Sequence, residues 1–344
     1  MSEQTPALDV SQPEPLLPLP LPLEARPGPP ATVCVVIPAY NEEAVLTMTY
    51  EALRTTLDTV ATRWSILFVN DGSRDTTASI LDHLHRVDPR VGYILLSRNF
   101  GHQAALTAGL DYANADVIIT MDADLQHPPR MIPLLLQAWR DGYDVVHTRK
   151  LRTVGLSSWR GPTTRLAYDL IGRFTDVEIL PHASDFRLLD RQALEALRDM
   201  PEHTRLYRGL TPWLGFRQCA VPYVAEARAA GRSQYSLRQL LGLFTRALLD
   251  FSAVPLQVGL WVGATTLVLS VLYLLFVAFW IVFGESAPPA WAWTFSGTLL
   301  LNSITLTFVG ILGIYVARIY DEVRARPTYL VARVRAPLAG LAER

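Results

Sequence analysis

The chain has 344 residues, 50% of them hydrophobic and 18% charged, with a mean hydropathy of +0.20 and a formal net charge of −1. It is too apolar for an ordinary soluble domain and too charged for a bare membrane bundle. The balanced charge offers nucleic acid no electrostatic footprint. Lys150 is the only lysine, so any phosphate clamp must be built from arginine, whose planar fork suits bidentate oxygen recognition. Cys34 and Cys219 lie in apolar stretches far apart, which reads as core packing rather than a disulfide or a metal motif.

Residues 1–31 carry PEPLLPLPLPLEARPGPP, without a basic start or an uninterrupted apolar core. This excludes a signal peptide and predicts a disordered or polyproline-like tail. From Thr32 to Lys150 the apolar runs VCVVIP, WSILFVN, VGYILLS, ADVIITM and YDVVHT alternate with stretches of helical spacing at 43–62, 76–87, 103–113 and 129–141. That pattern predicts an α/β domain over 32–234 with a mostly parallel sheet covered on both faces. Ligands of such sheets sit beyond the carboxyl ends of the strands. Those ends read PAYNEE, NDGSRD, SRNFGH and DADLQ, and all are polar or acidic.

Residues 235–256 show leucine and phenylalanine at helical spacing with Arg238, Arg246 and Asp250 interspersed, the pattern of amphipathic interface helices. Two charge-free runs follow, Val258–Phe283 and Trp291–Ala317. At about 1.5 Å per residue each is long enough for a hydrocarbon core of about 30 Å. A two-helix transmembrane hairpin over 257–318 is therefore expected. The linker GESAPPA has no cation, whereas arginines flank both outer ends. The positive-inside rule then gives an integral inner (plasma) membrane protein with both termini, the catalytic domain and a 319–344 tail in the cytoplasm. Asn302, Ser303, Thr305 and Thr307 would support contacts between helices of a homo-oligomer.

The stretch Asp122-Ala123-Asp124-Leu125-Gln126 ends an apolar strand. In an extended chain residues i and i+2 point the same way. Two carboxylates and an amide oxygen on one side suit Mg²⁺ or Mn²⁺ that keeps open positions for phosphate. At the other strand ends, Glu42 is suited to ribose hydroxyls and Asp71 to a base N–H, while Asn41, Ser73 and Asp75 are candidate helix caps. His127 adds little to an oxygen set that needs no imidazole, and His102, His182 and His203 lack metal spacing. Neither a dinucleotide fingerprint nor a P-loop is present.

The motifs VVIPAYNEE, FVNDGSRDTT, MDADLQHPP, SDFRLLDR, RGLTPWLGF and RIYDEVRARP occur in order over residues 32–335. Together they resemble the inverting family 2 glycosyltransferases, in particular the polyprenyl-phosphate subgroup of dolichol-phosphate-mannose synthases and bactoprenol glucosyltransferases. The resemblance implies a GT-A-type Rossmann-like domain and transfer of a sugar from a nucleotide diphosphate, usually of uridine or guanosine, to polyprenyl phosphate. It implies a nucleotide pocket at Pro38, Ala39, Tyr40, Glu42, Asp71 and Asp122, and a metal at Asp122, Asp124 and Gln126. It also places Asp185 near the anomeric carbon, as a base or as an orienting group. The acceptor phosphate has a second pKa of about 6 and needs little deprotonation. Arg149, Arg165 and Arg228 are the candidate cations for it. Where the family's basic motif carries Glu and Lys, this chain has Arg232 and Gln234. A processive polysaccharide synthase of the same fold would carry a Gln-x-x-Arg-Trp motif, which is absent here. A non-catalytic nucleotide-sugar scaffold would not need the Asp122, Asp124 and Gln126 set.

Overall fold

A computed structural model of the chain describes residues 13–16, 23–61, 63–153, 183–200, 205, 207–225, 272, 279 and 290–337. The chain divides into two compact units, one of residues 1–168, 177–234 and 327–344, the other of residues 169–176 and 235–326. Arg165, Arg228, Arg232, Gln234, the interface segment 235–256 and nearly all of the run 258–283 lie outside the described residues.

The first unit is built on a nine-stranded sheet of order β1-β8-β6-β7-β5-β2-β3-β4-β9. Its central block is parallel: β5 (Val117–Thr120), β2 (Val33–Ala39), β3 (Trp64–Asn70) and β4 (Val91–Leu96). Every residue of β2, β3 and β5 is buried, as continuous apolar strands require when both faces are covered. Val33, Val35 and Ile37 share a core with Leu46, Leu53 and Leu57 of α1 (Leu46–Val60) and Leu81 of α2 (Thr77–Val87). Successive residues of a strand face opposite ways, so Val36 meets the other layer, α3 (His102–Tyr112). There a Cβ on Gly109 would collide with Val36 Cγ1. This glycine lets the helix lie directly on the sheet.

The sheet departs from a purely parallel order at one side. β7 (Ala183–Asp190) runs antiparallel between β5 and β6 (Val145–Thr153), and β6 pairs in parallel with β8 (Gln218–Ala225). A 3₁₀ turn, Pro129–Met131, leads into α4 (Ile132–Arg140). Two short helices, α5 (Arg191–Arg198) and α6 (Tyr207–Trp213), follow β7.

A described segment near each end of the chain is built into this sheet. In the proline-rich segment, β1 (Glu14–Pro15) pairs antiparallel with β8. Further on, Arg26 bonds the Tyr143 carbonyl at 2.9 Å and the Asp144 carboxylate at 2.6 Å, and stacks over Trp139 at 4.5 Å. A tail read from proline content alone therefore has two ordered anchors. At the other end β9 (Val331–Arg335) pairs antiparallel with β4. Tyr329 Oη donates to Asp111 Oδ2 at 2.8 Å, so the segment expected to be a tail supplies an edge strand.

In the second unit, the second charge-free run falls within one helix, α7 (Ala290–Arg324). Among the described residues, however, no helix is long and apolar enough to cross a membrane. This corrects the expected two-helix hairpin and the integral inner-membrane placement drawn from it. The expectation rests on length and freedom from charge alone. Thr294, Ser296, Thr298, Asn302, Ser303, Thr305 and Thr307 all fall inside the uncharged run. Thr294, Thr298 and Thr305 are exposed on α7.

Candidate active site

Because β2, β3, β4 and β5 are parallel, their carboxyl ends share one edge of the sheet. β7 runs the other way, with Arg187 opposite Thr120, so its first residues arrive at the same edge. This brings Asp185 beside the end of β5, where Thr120 Oγ1 donates to the Asp185 carbonyl at 2.5 Å.

Asn41, Ser73, Glu43 and Asp75 mainly stitch the first two strand ends together. Ser73 Oγ accepts the Asn41 N–H at 2.9 Å, and Asn41 Oδ1 accepts the Arg74 N–H at 2.9 Å. Glu43 and Asp75 make the corresponding bonds one turn on, to Thr76 N–H and Glu43 N–H. Of the expected caps, only Asp75 reaches its own helix, accepting the Thr77 N–H at 3.0 Å. This pairing holds Pro38, Ala39, Tyr40 and Glu42 next to Asp71. Tyr40 is exposed, whereas Asp71 is 2% exposed.

Asp71 is tied to a third strand end. Its two oxygens accept the N–H groups of Phe100 at 2.7 Å and Gly101 at 2.9 Å. Burial pushes its carboxyl above the ordinary value, against those two bonds. Gly72 makes the contact possible. It has φ +66°, and a Cβ there would strike the backbone of Arg98 and Asn99.

The DADLQ loop has the alternation expected of it. Ala123 is buried, and its carbonyl accepts the Thr49 hydroxyl at 2.6 Å. Asp122 and Asp124, on either side, are half-buried. Asp124 Oδ1 accepts the Gln126 N–H at 3.1 Å across Leu125, whose φ of +58° is rare for a side-chain-bearing residue. Asp122 Oδ1 is buried without a hydrogen-bond partner among the described residues. An orphaned carboxylate oxygen is costly unless another group completes it, and that fits a hard cation.

His127 holds the loop from below. Its Nδ1 accepts the Asp122 N–H at 3.0 Å, so the proton resides on Nε2, which donates to Ser184 Oγ at 2.6 Å. The ring stacks on Phe186 with centroids 5.3 Å apart. Its role is to join the acidic loop to the start of β7.

Asp185 is 5% exposed and has four donors around it. Arg208 grips it with Nε at 3.1 Å and Nη2 at 2.7 Å, and Arg187 Nη2 lies at 3.0 Å. His102 Nε2 stands 3.6 Å from Asp185 Oδ2 and 3.6 Å from Asp122 Oδ1. Burial works to raise the Asp185 pKa, but His102 and the two guanidinium groups outweigh it and hold the carboxyl well below the usual carboxylate range. His102 shifts the other way: partial desolvation at this edge disfavours its charge, but Asp185 and Asp122 raise its pKa above the ordinary value.

The edge therefore gathers Asp71, Asp122, Asp124 and Asp185, together with His102, Arg208, Ser184 and His127, which carried no functional weight in the sequence. The motif fragments SRNFGH and RGLTPWLGF did contain His102 and Arg208, but nothing local in either marks a partnership with Asp185. Arg149 is half-buried on β6, where its Nη2 lies 2.6 Å from Glu14 Oε2. The proposed phosphate cation is thus engaged by the N-terminal strand.

The model of the glycosyl transferase family 2 matches residues 34–198. The uncharacterized glycosyltransferase YkcC of Bacillus subtilis is 38% identical over 299 residues, 87% of this chain and 93% of that protein. A prophage bactoprenol glucosyl transferase homolog of Escherichia coli is 32% identical over 88% of this chain and 99% of that protein. Among solved structures, the mannosyltransferase PcManGT of Pyrobaculum calidifontis, in complex with GDP-Man and Mn²⁺, aligns over 88% of this chain and 91% of that one, with 18% identity and a TM-score of 0.47. The parallel central block with its ligand edge is the Rossmann-like α/β arrangement of the GT-A type. With relatives this similar along nearly their whole length, the chain belongs to glycosyl transferase family 2.

Proposed function

We propose that this glycosyltransferase carries out a metal-dependent, inverting transfer of a sugar from a nucleoside-diphosphate donor, with UDP-sugars the first to test, to polyprenyl phosphate. The product is a lipid-linked monosaccharide. The observation that carries the reading is the convergence of Asp71, Asp122, Asp124 and Asp185 on one sheet edge, with Asp122 Oδ1 accepting no hydrogen bond among the described residues. The names of the bactoprenol glucosyl transferase relatives support the acceptor class.

Asp122, Asp124 and the Gln126 amide would hold the cation. Among the described residues no group of three or more His, Cys, Asp or Glu is arranged to hold a metal ion. This set depends instead on two carboxylates, an amide and the donor's own oxygens. When bound, Mg²⁺ or Mn²⁺ neutralises charge on the leaving diphosphate.

The residues of the chain do the rest. Asp71 and Glu42, fixed by the stitched loops, bind the nucleoside. An oxygen of the acceptor phosphate attacks the anomeric carbon as the bond to the donor's β-phosphate oxygen breaks, which inverts the centre. The acceptor, largely dianionic at neutral pH, has no proton to surrender. Asp185, with both oxygens engaged by guanidinium groups, is suited to positioning rather than to taking a proton.

Purified protein incubated with polyprenyl phosphate, Mn²⁺ or Mg²⁺ and labelled UDP- and GDP-sugars should yield labelled lipid. Asp124→Ala should abolish it while the fold persists by circular dichroism. Undiminished turnover in that variant would sink the metal assignment.

A further inference from the structure

Among the described residues, two guanidinium groups and an imidazole surround the Asp185 carboxylate. Arg187 is 1% exposed and turned inward, with Nη1 bonded to the Tyr207 carbonyl and Thr211 Oγ1 at 2.8 Å each and Nη2 to Asp185 at 3.0 Å. One buried carboxylate balances one buried guanidinium. A second guanidinium, that of Arg208, nevertheless grips both Asp185 oxygens from a side chain 38% exposed. His102, exposed at the start of α3, stands within 3.6 Å of the same carboxylate. Asp122, 3.6 Å away on its other side, is one of the carboxylates assigned to the cation. A fixed fork and an imidazole at the rim of a polar edge, both oriented by one buried anion, are what an incoming oxyanion requires.

We propose that Arg208 and His102, both held in place by Asp185, form an oxyanion-binding pair that receives a phosphoryl group during the reaction. The chemistry is shared by the donor's β-phosphate and the acceptor's phosphate monoester. Asp185 is then a positioning residue, and Arg208 and His102 touch substrate. The inference rests on the reading of this edge as a nucleotide-sugar site.

The test uses the full chain with Mn²⁺, titrating UDP and UMP by calorimetry and measuring the KM for polyprenyl phosphate in steady state. Loss of a charge-assisted pair in Arg208→Gln should weaken one ligand by about 10- to 100-fold. If UDP weakens and UMP does not, the pair serves the donor's β-phosphate. If UDP is unchanged and the acceptor KM rises by that factor, it serves the acceptor. His102→Gln should weaken the same ligand. Asp185→Asn should reproduce the Arg208→Gln defect, and the double variant should add little to it. A folded Arg208→Gln with wild-type UDP affinity and wild-type acceptor KM overturns the proposal. Should Arg208→Gln fail to fold, Arg208→Lys decides: it keeps the charge, loses the fork and should weaken the ligand partially, and wild-type values in both measurements overturn the proposal. Wild-type protein that binds neither UDP nor GDP with Mn²⁺ would remove the nucleotide-sugar reading itself, and the proposal with it.

Discussion

Acid should unfold this protein through a histidine that lies outside the chemistry. His147, on β6, is 1% exposed, and its Nε2 lies 2.8 Å from Gln218 Oε1. The Gln218 amide nitrogen donates to the Thr211 and Pro212 carbonyls. Its oxygen must therefore face His147, which places the imidazole proton on Nε2. A second proton has to go to Nδ1, which is buried without an acceptor among the described residues. Burial, with the Arg187 charge nearby, pushes the pKa down to about 3 from the ordinary 6.5. The folded pKa thus lies below the unfolded one, so the unfolded chain binds the proton first. The stability is fully present above pH 6.5 and is lost progressively as pH falls from 6.5 towards 3. At ~1.4 kcal/mol per pH unit, going from pH 7 to pH 4.5 removes about 2.7 kcal/mol through this group. Other acidic groups contribute as well, so the measurement is a difference. Urea unfolding at both pH values should show His147→Gln, which cannot take a proton, losing about 2.7 kcal/mol less than wild type. Equal losses in the two proteins would refute the reasoning.

Glu14→Gln should release Arg149 and lower the acceptor KM by up to about fivefold, the ceiling for a half-exposed ion pair; an unchanged value would separate Arg149 from acceptor binding. Gly72→Ala should destabilise by about 1–3 kcal/mol through its left-handed φ and the Arg98 and Asn99 backbone, read as a lower urea midpoint. Because Gly72 adjoins Asp71, weaker UDP binding should accompany it. Tyr329→Phe removes a buried hydroxyl from Asp111 and should cost about 1–2 kcal/mol, measured in the same way, with donor and acceptor KM values unchanged.

The parallel block was legible because its strands are unbroken apolar runs buried on both faces, so the hydrophobic pattern and the fold say the same thing. The DADLQ loop was legible because a strand's period of two places Asp122 and Asp124 together. β7 was not. SDFRLLDR stands out only through its family resemblance, and the burial of Arg187 rests on Tyr207, Thr211 and Asp185, contacts that no periodicity encodes. Asp71 was placed correctly at a strand end, but its bonds to Phe100 and Gly101 come from a neighbouring strand. The proline-rich segment misled in the opposite sense. Composition describes a chain's average behaviour, while one arginine at 26, on Asp144 and Trp139, is enough to fix it locally. The membrane hairpin was inferred from missing charges, and the described residues of α7 do not bear it out.

The edge strand β9 has a consequence for how this protein comes to be folded. β4 is complete by residue 96, yet its antiparallel neighbour begins only at Val331. During synthesis β4 must therefore stand as a raw, hydrogen-bond-hungry edge while more than two hundred further residues are added. Asp111 likewise waits for Tyr329. Such distant pairing is slow to close and leaves an interval in which copies of the chain can associate through that edge. A fragment cut to the family-matched region would carry the same edge permanently. Expression trials that trim the chain before Tyr329 should therefore give aggregates, and those ending after Arg335 should give a soluble sheet domain only if the intervening residues are kept.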